Sequence, residues 1–411
     1  LALGLILVIA KVASYISVRL GQPSMVGALF AGVMLGPGAL GFYHWSVFTQ
    51  DQSATISTIA DLGFLLLVFA AGLELRFEDL IKWGRVVLFS GWLGVIVTMI
   101  VVPPVMLLAH YNLAIALFTA VSLAGTGNGV AAQIVFEMDM IRTRVGIALL
   151  YAAMIDDILV LLSLSILIAF HTTGVAAVED VTLIVARVVA FITAAMLVGW
   201  IVLPWLAEQV NAMPIESGVV VLAVACALLL GWTAEKVGGM APISGAFIAG
   251  LCLGRAREDV RCKIEEGIET LNYGLLVPVF FINLGIRTDL RVLHASNAGL
   301  ILALFVVAVL TKLIGCGIGA RLGGFDSRSA LHMAIGMVPR GAVGLAITSV
   351  GLRYGLMTNA LFPQIVLVIL GTTIIAPPFV RWMNTHPVAT SPALPETMPI
   401  TLVAESPEGA E

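Results

Sequence analysis

Asp156 and Asp157 stand side by side in the middle of an apolar run, YAAMIDDILVLL. A charge at membrane depth is expensive, so it marks an ion pathway, a proton relay or a buried pair. Consecutive residues of a helix point about 100° apart. One carboxylate can therefore pair with a base while the other faces a water-filled cavity. Burial disfavours the ionised form of a carboxylate, which lets such a group exchange a proton for a cation near neutral pH. The competing reading is two acids hydrogen-bonded inside a bundle for structure alone. Lys312 is another deep charge, in VLTKLIGCG. It lies more than ten residues into its span, too deep to reach the interface by snorkelling. An aspartate of the pair is its natural partner.

Two interruptions accompany these charges. Gly125-Thr126-Gly127-Asn128-Gly129 breaks one apolar run, where three glycines in five residues weaken a helix. Val338-Pro339-Arg340-Gly341 breaks another, where proline removes a backbone hydrogen bond. The breaks are 212 residues apart. Interrupted helices at matching places in two halves of a chain point to a transport site. Freed carbonyls and the side chains of Thr126 and Asn128 supply the oxygen ligands that a hard cation prefers. The half-helix ends add partial charges, and Arg340 can offset one of them. A phosphate-loop reading of the glycines fails, because no strand precedes them.

The elements that hold these residues follow from composition. The 411 residues are 60% apolar and 11% charged, with 41 glycines and a net charge of −4. Soluble domains carry about 25% charged residues. That contrast excludes disorder, nucleic-acid binding and an ordinary cytosolic enzyme. A mean hydropathy of +1.07 places most of the chain in lipid. Apolar runs give about thirteen spans: 2–20, 24–41, 55–75, 85–109, 112–137, 144–170, 180–203, 217–235, 240–254, 268–288, 296–318, 328–353 and 361–383. Thirteen basic residues lie after odd-numbered spans and four after even-numbered ones. The positive-inside rule then places the N-terminus outside and the C-terminus in the cytoplasm.

An internal repeat fits this layout. VGALFAGVMLG at 26–36 and SGAFIAGLCLG at 244–254 agree at six of eleven positions, and 63–76 resembles 274–287. The copies sit seven spans apart, so they are inverted, a construction of secondary transporters. The halves are 1–170 and 217–383, with a linker helix at 180–203. Residues 384–411 are rich in Pro, Thr and Glu and read as a disordered cytoplasmic tail. The start at Leu1, within an apolar run, reads as trimmed and not as a signal peptide.

Other polar residues take ordinary readings. Lys11 and Arg187 snorkel to the interface. Glu74, Arg76 and Asp79 form a solvated face. Trp83, Trp92 and Trp200 serve the interface or packing, and the six histidines lie mostly in loops or at helix ends. The four cysteines form no metal or disulfide pattern. No nucleophile–base pair, phosphate loop or cofactor motif points to an enzyme.

These motifs together resemble the monovalent cation:proton antiporters of the branch with paired aspartates. The segments that carry the resemblance are QPSMVGALFAGVMLGPGALG (22–41), DLGFLLLVFAAGLELR (61–76), AAMIDDILVLL (152–162), APISGAFIAGLCLG (241–254), PVFFINLGIR (278–287) and GMVPRGAVGL (336–345). The resemblance implies an all-α polytopic fold with two crossing discontinuous helices. It also implies a homodimer, each protomer having a scaffold and a mobile six-helix core. It assigns Asp157 as the group that binds cation and proton in turn, and Asp156 as the partner of Lys312. That lysine is associated with electrogenic exchange. Relatives usually carry Thr-Ser, then an apolar residue or Pro, where this chain has Thr126-Gly127-Asn128. Many carry Glu where Ala28 and Ala342 stand. These departures bear on ion selectivity. The expected function is exchange of Na+, K+ or Li+ for protons across the cell (inner) membrane, in contact with lipid and with no cofactor. The alternative is a gated potassium efflux system with a separate regulatory cytosolic subunit. Its relatives carry a Gln-Asp pair and a nucleotide-binding domain, neither of which this chain shows.

Overall fold

The structure is a computed structural model that describes residues 2–36, 50–75, 77–127, 130, 131, 135, 140, 143–173, 178–292 and 297–375. Asn128, Gly129 and the expected tail from 384 lie outside the described residues. Every long element among the described residues is a helix. In chain order these are α1 (Ala2–Arg19), α2 (Ser24–Leu35), α3 (Gln50–Leu73), α4 (Phe77–Leu108), α5 (Leu113–Ala124), α6 (Arg144–Thr173), α7 (Val178–Asn211) and α8 (Gly218–Thr233). There follow α9 (Pro242–Leu253), α10 (Glu258–Leu271), α11 (Val277–Arg287), α12 (Ala298–Leu322), α13 (Ser327–Gly336), α14 (Ala342–Arg353) and α15 (Leu361–Ile374).

Among the described residues, eight helical segments are long and apolar enough to cross a bilayer, and five shorter apolar helices accompany them. The 25 residues of α12 span about 37 Å at 1.5 Å per residue, enough for the hydrocarbon layer. Val8, Ile201 and Leu302 are among many large apolar side chains left exposed on α1, α7 and α12. In water such faces would drive association; here they meet lipid, and the chain is a multi-pass membrane protein.

The helices pack as two sets. The site bundle comprises α4, α5, α6, α12, α13, α14 and α15. The panel comprises α1, α2, α3, α8, α9, α10 and α11, and α7 lies against α6, α8 and α9. Glycine sets the closeness of both. In the panel, a Cβ on Gly27 would collide with the carbonyl of Ala13 on α1, and one on Gly245 with that of Leu230 on α8. Gly32 likewise abuts Ile282 on α11, and Gly250 abuts Phe69 on α3. Such backbone contact is how helices associate where lipid removes the hydrophobic drive. In the site bundle, Gly315, Gly319 and Gly323 lie four residues apart on α12 and bring it onto the α4 backbone at Leu93, Phe89 and Val86.

Several expectations change. The tenth span begins at Glu258, ten residues earlier than hydropathy placed it, and runs to Arg287 through a π-helical turn at Asn272–Leu276. Its first half is amphipathic and acidic, so a hydropathy window reads it as loop. Lys11 does not snorkel: its Nζ donates to the Tyr273 carbonyl in that π-turn at 2.7 Å. Arg187 donates to the carbonyls of Lys236 and Val237, at 3.1 and 2.6 Å, in the other π-turn, Ala234–Gly238. A π-turn leaves carbonyls without helical donors, and in both places a basic side chain from another helix supplies one.

Glu74 also departs from a solvated face. It is half-buried, and desolvation, with the charges of Glu269 and Glu265, raises its carboxyl to about 7. Arg76 and Asp79 lie outside what the structure describes of side chains. His332 is buried within α13, its Nδ1 2.8 Å from the Arg328 carbonyl.

Candidate functional site

The site forms where two helices stop short of crossing the bilayer. Helix α5 starts at Asn112, whose side chain accepts the Ile115 N–H at 2.8 Å, and ends at Ala124, just before Gly125. Helix α13 starts at Asp326, which caps the N–H groups of Arg328 and Ser329, and ends at Gly336. The chain has no regular structure through 338–341 before α14 begins. The two breaks touch. The Gly127 N–H donates to the Pro339 carbonyl at 3.0 Å. A Cβ on Gly127 would lie 2.8 Å from Gly341 Cα, and one on Gly341 would collide with Gly127 Cα. Both positions need glycine because two backbones occupy one place.

Asp156 and Asp157 come to this crossing on α6, at 0% and 2% exposure. Asp156 Oδ2 is held by two donors. Thr126 Oγ1 donates to it at 2.6 Å from the α5 break, and Lys312 Nζ forms an ion pair with it from α12. Its other oxygen, Oδ1, has no hydrogen-bond partner among the described residues. Lys312 is itself fully buried. Its place depends on Gly94 of α4: a Cβ there would lie 2.5 Å from Cys316 Sγ and 3.4 Å from Lys312 Nζ. Ser90 Oγ donates to the Cys316 carbonyl at 3.1 Å and ties the same helix pair.

Arg340 is fully buried at the second break. Nη1 donates to the Ala124 carbonyl at 3.0 Å, and Nη2 donates to the Ala308 carbonyl at 2.6 Å. Its own backbone is tied to α15, with the N–H donating to Thr372 Oγ1 at 3.2 Å and the carbonyl accepting from Thr373 Oγ1 at 2.6 Å. The guanidinium thus sits on the C-terminal, negative end of α5 and supplies donors that the break removed.

The crossing therefore brings together Gly125, Thr126, Gly127, Pro339, Arg340 and Gly341 with Asp156 and Lys312, and seats Asp157 next to them on α6. Gly94, Ser90 and Ala308 were not singled out in the sequence. The signal available for Gly94 was its spacing from Gly91, one helical turn away. Chemically, the arrangement can neutralise one carboxylate permanently. The adjacent carboxylate and the polar groups at the breaks are oxygen ligands of the kind a small hard cation prefers.

Comparison with known proteins gives the same direction. The family described as "Sodium/hydrogen exchanger, transmembrane" matches residues 4–385. The Na(+)/H(+)-K(+) antiporter GerN of Bacillus cereus is 33% identical, over 92% of this chain and 95% of its own length. The Na(+)/H(+) antiporter of Enterococcus hirae is 30% identical, over 92% and 96%. Among solved structures, the sodium proton antiporter MjNhaP1 of Methanocaldococcus jannaschii superposes with a TM-score of 0.71 at 18% identity, covering 93% of this chain and 96% of that one.

Proposed function

The chain belongs to the transmembrane sodium/hydrogen exchanger family, and from that premise we propose that it exchanges cytoplasmic Na+ for external protons, both carried by Asp157. The observation that carries the assignment is the double engagement of Asp156 Oδ2 by Lys312 and Thr126. With Asp156 held by a buried cation, we assign the exchange to its neighbour on α6, Asp157. It faces a different direction from the same helix. A Na+ and a proton cannot both occupy it, and that competition couples the two fluxes. Thr126, Asn128 and the carbonyls freed at the breaks are the further oxygen ligands, and Arg340 holds the α5 end in register.

Alternating access then needs the site bundle to move against the panel. The dense packing within each set supports treating each as a unit. The matched glycine environments support the inverted repeat: Gly27 and Gly245 each abut a neighbouring helix of their own half, and Gly32 and Gly250 each abut a helix of the other. The positive-inside count supports an external N-terminus and a cytoplasmic C-terminus in the cell membrane, and the family resemblance supports a homodimer. An electrogenic cycle would draw about 2.3 kcal/mol per charge at 100 mV. K+ and Li+ are the alternative cations. The relatives named above are antiporters, so the gated potassium-efflux reading, with its regulatory subunit, has no observation in its favour.

Purified protein in proteoliposomes provides the test. Adding Na+ should drive a change in internal pH, with K+ and Li+ ranking the selectivity. Wild-type protein that gives no cation-driven pH change refutes the proposal.

A further inference from the structure

Polar links join the site bundle to the panel, and a pair of them lies toward the same face of the membrane. Arg353, the last residue of α14, forms an ion pair with Asp61 of α3. Ser165 of α6 also shares a hydrogen bond with Ser244 of α9 at 2.7 Å, both buried. Asp61 lies within the first two turns of the membrane-crossing segment Thr55–Leu73, and Ser244 lies in the first turn of α9. Ser165 is in the second half of α6 and Arg353 ends α14. With the C-terminus cytoplasmic, all four positions belong to the external half. Glu235, in the π-turn after α8, is near enough to Tyr354 for its charge to act on that residue, which brings a third panel group to the same rim.

We propose that Asp61 and Arg353 are gate residues of the transport cycle, a latch that closes the external side while the ion site is open to the cytoplasm. This rests on the alternating-access reading above. The Asp61 and Arg353 side chains are 41% and 51% exposed, so the pair contributes little to the stability of the fold. That weakness suits a contact that must form and break in every cycle. An ion pair at hydrogen-bonding distance is lost when its two helices shift by a few ångströms. A rigid-body movement of one set against the other is a displacement of that kind. The buried Ser165–Ser244 contact joins the same two sets on the same side and opens to external water once the latch parts.

The test uses Ser244→Cys as a reporter in the full-length chain in intact cells, labelled from outside with a membrane-impermeant maleimide. Three of the four native cysteines are buried and the fourth, Cys262, is only partly accessible on α10, so the parent chain gives the background. Charge reversal by Asp61→Arg or Arg353→Asp turns attraction into repulsion and should raise the labelling rate about fivefold, the population shift worth one exposed pair. The double reversal, Asp61→Arg with Arg353→Asp, should bring the rate back to that of Ser244→Cys alone. The neutral variants Asp61→Asn and Arg353→Gln should give smaller increases and remain informative if a reversal fails to fold. Labelling that ignores all of these changes overturns the latch. So does a double reversal that leaves labelling high, because the two charges would then not act on one another. Labelling needs no transport, so an absent cation-driven pH change would refute the antiporter reading separately.

Discussion

The panel and the site bundle both break helical hydrogen bonding at membrane depth, and both bring basic side chains to the break. At two π-turns of the panel, Lys11 of α1 and Arg187 of the adjoining α7 take the carbonyls, and no carboxylate joins them in the hydrogen bonds they make there. In the site bundle, Arg340 takes the carbonyls at the end of α5 and near the middle of α12, while Lys312 takes a carboxylate. Asp157 then adds a second carboxylate beside the first. The contrast separates structural polarity from functional polarity. A carbonyl capped by a permanent cation has no further ligand to bind. A second carboxylate beside an ion-paired one is the group to which the proposed exchange is assigned. Removing a panel cation should therefore weaken the fold and spare exchange, and removing a site cation should damage both.

The largest effect is expected at the crossing itself. Gly341→Val puts a branched side chain where Gly127 Cα already lies and should destabilise the protein by about 3 kcal/mol or more. Thermal unfolding in detergent and loss of cation-driven pH change would register it. A Gly341→Val protein with wild-type unfolding and exchange would mean that the breaks do not cross as described.

Lys312→Ala comes next. It leaves Asp156 buried and without its cation, a change worth about 3–5 kcal/mol for a buried pair. Exchange should fall and lose its dependence on membrane potential, measured with and without an imposed potential. Lys312→Ala that keeps both stability and potential dependence would remove the distinction between the two regions.

Lys11→Met and Arg187→Met should each lower stability by only about 1–2 kcal/mol, the loss of hydrogen bonds to carbonyls freed at a π-turn. Their exchange rates per folded molecule should match wild type. A panel variant that folds but does not exchange would sharpen the comparison against us, by placing transport function in the panel.

The smallest effect concerns Glu74, whose carboxyl is raised from 4.5 to about 7 by burial and by Glu269 and Glu265. The folded protein then holds a proton that the unfolded chain releases, so stability falls as pH rises from about 4.5 towards 7. Glu74→Gln removes that dependence. Its unfolding temperature should equal wild type near pH 4 and exceed it by a few degrees at pH 8. An unchanged difference across that range would show that Glu74 does not titrate in this window.

Much of the architecture was legible in the sequence because lipid enforces it. Apolar runs had to be helices, and glycine and proline within two of them had to break them. That Lys312 needs a partner follows from its depth. Which of two adjacent carboxylates takes it does not follow from position, since both lie on the same turn. The contact of Gly127 with Gly341 was also hidden, because glycine at a break announces freedom and not the neighbour that fills the space. Hydropathy missed the start of α10 since its charged face looks like a loop. The partners of Lys11 and Arg187 were illegible for a related reason: a π-turn leaves no periodic mark, so the carbonyls it exposes cannot be read from residue types. Asn128, which the sequence reading offered as a ligand, lies outside the described residues.

The central claim is that Asp157 carries cation and proton in turn while Asp156 stays paired. Wild type and Asp157→Asn in proteoliposomes, challenged with Na+ while internal pH is followed, test it most directly. Wild type should give a Na+-driven pH change and Asp157→Asn none, with the variant still folded by thermal unfolding. Asp157→Asn that exchanges Na+ for protons at the wild-type rate would contradict it.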